Sequence, residues 1–134
     1  MKILIVDDDK PVSALLQTLL KAYGETQVAY DGSEAIQKFS EALDHNQPFS
    51  LVCLDVMMPN ISGVQALQLM REEERSRQIS STDASKVVIV SVVDDKEIVE
   101  GMMRDGADAY LSKDEAMSKL PDTLADLGFN PLAK

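Results

Sequence analysis

The chain of 134 residues has no tryptophan, a single cysteine and only 4% aromatic residues. One thiol, Cys53, permits no intramolecular disulfide, and its place inside an apolar run fits core packing in a reducing cytoplasm. No apolar run approaches the roughly 18 residues that a membrane span requires. The amino-terminal residues lack the basic and apolar regions of a secretory leader, so the expectation is a cytoplasmic chain with no membrane partner. Positive charge is scarce: 13 Lys and Arg against 23 Asp and Glu give a formal net charge of −10. That balance argues against direct binding of nucleic acid or anionic lipid. Repeats, low-complexity segments and interdomain linkers are also missing. What is present is 45% hydrophobic residues, enough for one folded domain of ordinary size.

Short apolar runs alternate with helical patterns along the chain. Residues 3–6, 27–30, 51–54, 87–90 and 109–112 read as strands. Between them, Leu15, Leu16, Leu19 and Leu20 form a first helical stripe closed by Gly24. Ala35, Ile36, Phe39 and Leu43 form a second, and Val64, Leu67 and Met70 a third that runs into a polar, solvated end at residues 71–78. A fourth helix covers about residues 96–105, and Gly101 inside it weakens it. The last helix is expected to be short, because Pro121 is tolerated only in a first turn. Five βα units joined by right-handed crossovers predict an α/β fold, a doubly wound five-stranded parallel sheet with helices on both faces.

The polar residues that end these strands carry the chemistry. Asp7, Asp8 and Asp9 follow the first strand, Asp55 the third, Ser91 the fourth and Lys113 the fifth. Carboxyl ends of parallel strands share one edge, where ligands bind in a crevice, so these distant residues converge. Two carboxylates about 4 Å apart repel by roughly 4 kcal/mol at an effective dielectric near 20, so the cluster calls for a cation. Magnesium suits such hard oxygen ligands. Asp9, with Pro11 two residues on, reads as a helix cap.

The segments ILIVDDD at 3–9, LDVMMPNISG at 54–63, VIVS at 88–91 and DGADAYLSK at 105–113 resemble the receiver domain of two-component response regulators. The resemblance covers residues 1–127, leaving 128–134 as a short tail without an output domain. It implies the flavodoxin-like strand order 2-1-3-4-5. It implies Asp55 as phosphoacceptor, with Mg2+ held by Asp8, Asp55 and the backbone carbonyl of Met57, and by Asp7 largely through water. Lys113 and Ser91 would contact phosphoryl oxygens, and Tyr110 would be the switch aromatic. The implied partners are a histidine kinase or phosphotransfer protein and a downstream protein target bound through the fourth helix, fifth strand and last helix.

Some features depart from that family. Val92 stands where a small residue is usual and would narrow access to Asp55, alongside Met57 and Val93. Asp114 replaces the usual proline after Lys113, so the expected cis peptide comes into question. Two other readings compete. Asp7 and Asp9 form the DxD of a phosphatase of the haloacid dehalogenase type, but Pro11 does not fit its pattern. A flavodoxin-like flavin carrier would need a phosphate loop after the first strand, and acids stand there instead. His45 lies in a polar turn and reads as solvated.

Overall fold

The computed structural model describes residues 1–132. Its elements are β1 (Lys2–Val6), α1 (Lys10–Leu20), β2 (Glu25–Ala29), α2 (Gly32–Asp44), β3 (Leu51–Leu54), α3 (Gly63–Ser76), β4 (Lys86–Ser91), α4 (Lys96–Arg104), β5 (Ala109–Ser112) and α5 (Lys113–Asp126). The five strands form one parallel sheet in the order β2-β1-β3-β4-β5, as expected. β3 is apolar throughout, and β1 and β4 are apolar between Ile3 and Val6 and between Val87 and Val90, because both faces of these central strands are covered. On one face Leu4, Val52, Leu54 and Ile89 pack with Phe39 of α2, Leu67 and Met70 of α3 and Met102 of α4. On the other, Ile3, Ile5, Cys53, Val88 and Val90 pack with Leu16 and Leu20 of α1 and Leu120 and Leu124 of α5.

Side-chain caps fix where the helices begin. The Asp9 carboxylate accepts from the Val12 amide at 3.3 Å, confirming it as the cap of α1. Asp31 accepts from the Glu34 amide at 2.8 Å while Glu34 accepts from the Tyr30 amide at 2.7 Å. Ser62 and Gln65 cap α3 reciprocally, and Asp95 accepts from the amides of Glu97 and Ile98. Among the described residues no helix is long and apolar enough to cross a membrane.

Several sequence expectations need correction. The last helix is not short: α5 has 14 residues with Pro121 in its interior. Proline removes one amide donor, but Ala116, Leu120 and Leu124 bury the inner face of α5, and that packing holds the helix through the break. β2 begins and ends earlier than residues 27–30, because this edge strand is half exposed and lacks an apolar run to mark it. Leu15 lies 55% exposed, outside the apolar face of α1. That helix ends at Leu20, before Gly24. The segment 71–78 is not wholly solvated either. Glu74 is buried, accepting from Arg71 at 2.7 Å and from the Ser85 amide at 2.8 Å, while Arg71 also donates to the carbonyls of Ser85 and Gly106. All peptide bonds among the described residues are trans, and α5 starts at Lys113 with no loop between it and β5. Of the tail at 128–134, Phe129 packs on the α1/α5 side and the Leu132 amide donates to the Ala22 carbonyl; the last two residues lie outside those described.

Candidate functional site

The carboxyl ends of β1, β3 and β5 bring three acids and a lysine together. Oxygens of Asp7, Asp8 and Asp55 lie within 4.8 Å of one another. Asp7 and Asp55 are buried and Asp8 is exposed, so the cluster opens to solvent on the Asp8 side. Lys113, the first residue of α5, reaches back so that its Nζ lies 3.1 Å from Asp7 Oδ2 and 3.3 Å from Asp55 Oδ2. It donates hydrogen bonds to Asp7 Oδ1 and Asp55 Oδ2, both at 3.3 Å.

Even so, the cluster is incompletely satisfied. Asp7 Oδ2 and Asp55 Oδ1 are buried without a hydrogen-bond partner; Lys113 approaches the first at ion-pair distance but off the hydrogen-bonding direction. Burial pushes the Asp7 carboxyl above its usual range, against the Asp9 amide and Lys113, which both favour the anion. Burial also acts to lower the Lys113 ammonium, but its hydrogen bond to Asp7 and the charges of Asp55 and Asp7 outweigh this and hold it above its usual value. One ammonium therefore neutralises only part of two buried carboxylates. Two orphaned carboxylate oxygens beside an exposed third carboxylate fit a hard divalent cation that retains water. A shallow groove lined by Asp8, Val56, Met57, Met58 and Ser62 lies alongside, and the Met57 side chain is 62% exposed.

Ser91 ends β4 fully buried, and its hydroxyl accepts from the Val93 amide at 3.2 Å. Tyr110 on β5 packs against the α2/α3/α4 side with its hydroxyl buried and without a completed hydrogen bond. Burial raises its pKa, while the nearby Ser91 hydroxyl acts in the opposite direction. The side chain is thus already turned inward. Val92 is 65% exposed and extends into solvent, whereas Val93 packs partly on the core. His45 caps α2, its Nδ1 2.7 Å from the Glu41 carbonyl oxygen.

The loop from β3 to α3 is held by close backbone approaches that the sequence reading did not register. The Gly63 amide donates to the Val56 carbonyl at 2.8 Å, and a Cβ at Gly63 would overlap the Asp55 carbonyl oxygen. A Cβ at Gly32, at the start of α2, would overlap the Ile61 carbonyl oxygen. The only signal in the sequence was a glycine at the first position of each helix.

Comparison with known proteins agrees with this geometry. The family model for the response regulator receiver domain matches residues 3–125. The transcriptional regulatory protein CpxR of Escherichia coli is 37% identical over 82 residues, 60% of this chain and 33% of CpxR. The sensory/regulatory protein RpfC of Xanthomonas campestris is 30% identical over 127 residues, 95% of this chain and 16% of RpfC. The chain thus spans a third or less of the length of these relatives. In fold it is similar to the receiver domain of the histidine kinase CKI1 from Arabidopsis thaliana complexed with Mg2+ and BeF3−, with a TM-score of 0.80, 23% identity, and 95% and 89% of the two chains covered. With a family match over nearly its whole length and an acidic cluster at the strand ends, the chain belongs to the response regulator receiver domains, the phosphoacceptor switches of two-component signalling.

Proposed function

We propose that Asp55 is the residue that takes up the phosphoryl group, donated by a histidine kinase or phosphotransfer protein. The observation that carries this is the asymmetry of its carboxylate: Oδ2 is held by Lys113 while Oδ1, at the end of β3, has no partner. One carboxylate oxygen would attack phosphorus, the other facing the cation, as the bond from phosphorus to the donor imidazole nitrogen breaks. An aspartyl phosphate forms, and the imidazole leaves with its electron pair and takes up a proton.

Asp8, Asp55 and the Met57 carbonyl would hold Mg2+, with Asp7 acting largely through water. The ion would supply positive charge to the phosphoryl oxygens as they approach the acids. Lys113 serves the same end as a fixed point charge that is already in place between Asp7 and Asp55. Ser91, whose oxygen accepts from the Val93 amide, would donate its hydroxyl proton to another phosphoryl oxygen. These residues assist the chain's own phosphorylation and the later hydrolysis.

Phosphorylation can shift conformation only through contacts that differ between states. Here those are the Ser91 hydroxyl and the Lys113 ammonium. Tyr110, inward with an unsatisfied hydroxyl beside Ser91, would respond to any displacement of Ser91, and α4, β5 and α5 would carry the change to a downstream protein. The test is phosphorylation by acetyl phosphate with and without Mg2+, read by mass spectrometry. One added phosphoryl group is expected, only with Mg2+ and not in Asp55→Asn; equal uptake by Asp55→Asn refutes the assignment.

A further inference from the structure

Gly32 opens α2, and its backbone abuts the loop that carries Met57 between β3 and α3. Its backbone lies against Ile61 so closely that a Cβ would fall within 3.0 Å of the Ile61 carbonyl carbon and Cβ and would overlap the carbonyl oxygen. Gly32 does not have the left-handed backbone that would itself call for glycine, so this contact is the reason for the residue. Its position is held on both sides: Asp31 accepts from the Glu34 amide, and the Glu34 side chain accepts from the Tyr30 amide. The loop is equally constrained. Ile61 packs partly on the core, Asn60 takes a left-handed conformation at φ 69°, and Gly63 closes the loop against the backbone of Asp55 and Val56. Residues 57–62 are therefore clamped between Gly32 on one side and Gly63 on the other.

We propose that Gly32 is a positioning residue for the cation site: its missing side chain lets the loop close far enough to present the Met57 carbonyl to an ion held by Asp8 and Asp55. The inference rests on the Mg2+ assignment above. An added methyl group meets main-chain atoms, which cannot rotate away, so the loop must move outward and the carbonyl moves with it. Groups that orient ligands from outside a metal site typically change affinity about 10- to 100-fold.

The test compares Gly32→Ala with Gly24→Ala. A Cβ at Gly24 would overlap the Met1 carbonyl, a comparable clash at the amino end of β2. Thermal unfolding is followed by calorimetry across a Mg2+ titration, since a ligand that binds only the folded state raises Tm according to its Kd. Both variants should unfold at lower temperature without the ion. Only Gly32→Ala should show a Kd for Mg2+ raised about 10-fold, together with faster amide exchange at Gly63. Ile61→Ala, which removes packing from the same loop without adding an atom, should raise Kd by a smaller factor and serves where Gly32→Ala does not fold. A wild-type Kd in both loop variants overturns the proposal. Absence of any Mg2+ response in the wild type overturns the cation assignment instead.

Discussion

Two glycines, one inside α4 and one just after it, should respond to alanine with opposite signs. Gly101 lies inside α4, and a Cβ there would meet nothing nearer than Arg104 Nη2 at 3.9 Å. Alanine therefore gains helix propensity with no steric cost, about 0.8 to 1.0 kcal/mol. Gly106, which follows the helix, has φ +107°, and its Cβ would lie 3.0 Å from Arg71 Nε. Alanine there is strained by its backbone and displaces the guanidinium that donates to the Gly106 carbonyl at 2.6 Å, a loss of roughly 1 to 3 kcal/mol. Urea unfolding without Mg2+ should place Gly101→Ala above the wild type and Gly106→Ala below it, with unchanged m-values. For a domain of this size the gain at Gly101 corresponds to about 4 °C in Tm. If Gly101→Ala left stability unchanged or lowered it, α4 would not be a formed, unobstructed helix at that position. The reasoning about both sites would then fail.

Asp7→Asn should stabilise the protein in the absence of Mg2+. Burial holds the Asp7 carboxyl above its value in the unfolded chain, so between the two the folded state keeps a proton that the unfolded state has lost, and ionisation opposes folding as pH rises. The gain from Asn, measured by urea unfolding, should be present at neutral pH and vanish as pH falls below the unfolded value near 3.8; a gain that instead grows on acidification contradicts the sign. Glu74→Ala removes the buried acceptor of Arg71 and the Ser85 amide and should cost roughly 3 kcal/mol. A cost below about 0.5 kcal/mol, the usual scatter of surface substitutions, would mean the cluster is not buried in solution.

The strand-end acids were legible because each interrupts a continuous apolar run, and a parallel sheet sends all such interruptions to one edge. β1, β3 and β4 were legible for the same reason. β2 was misplaced because an edge strand with the pattern Glu25, Thr26, Gln27, Val28, Ala29 is half exposed and has no apolar run to delimit it. Pro121 misled through local propensity, which the buried face of α5 overrides. Glu74 and Ser85 could not be read at all: they are buried against each other and against Arg71 and Phe49, partners that only the folded chain brings together. Gly32 likewise has its meaning only through Ile61, a residue from a different βα unit.

The two ends of the sheet differ in one respect that links stability to signalling. At the amino end, the buried charge of Glu74 has partners on both oxygens, and Arg71 meets Glu74, Asp108 and two carbonyls. At the carboxyl end lie the buried side-chain atoms without partners among the described residues: Asp7 Oδ2, Asp55 Oδ1 and the Tyr110 hydroxyl. A buried polar group left without any partner costs about 1 to 3 kcal/mol; Asp7 Oδ2, 3.1 Å from the Lys113 ammonium, bears less of it. The satisfied polar network thus lies at the amino end, and the unsatisfied groups lie where the proposed cation and phosphoryl group would bind. Binding of the proposed cation or phosphoryl group at that edge would remove part of this cost. On the proposed assignment, a phosphoryl group that displaced Ser91 would also act on the orphaned hydroxyl of Tyr110 beside it. The amino-end cluster, tied to α3, β4 and the turn after α4, would give the sheet a fixed frame against which that displacement could be transmitted.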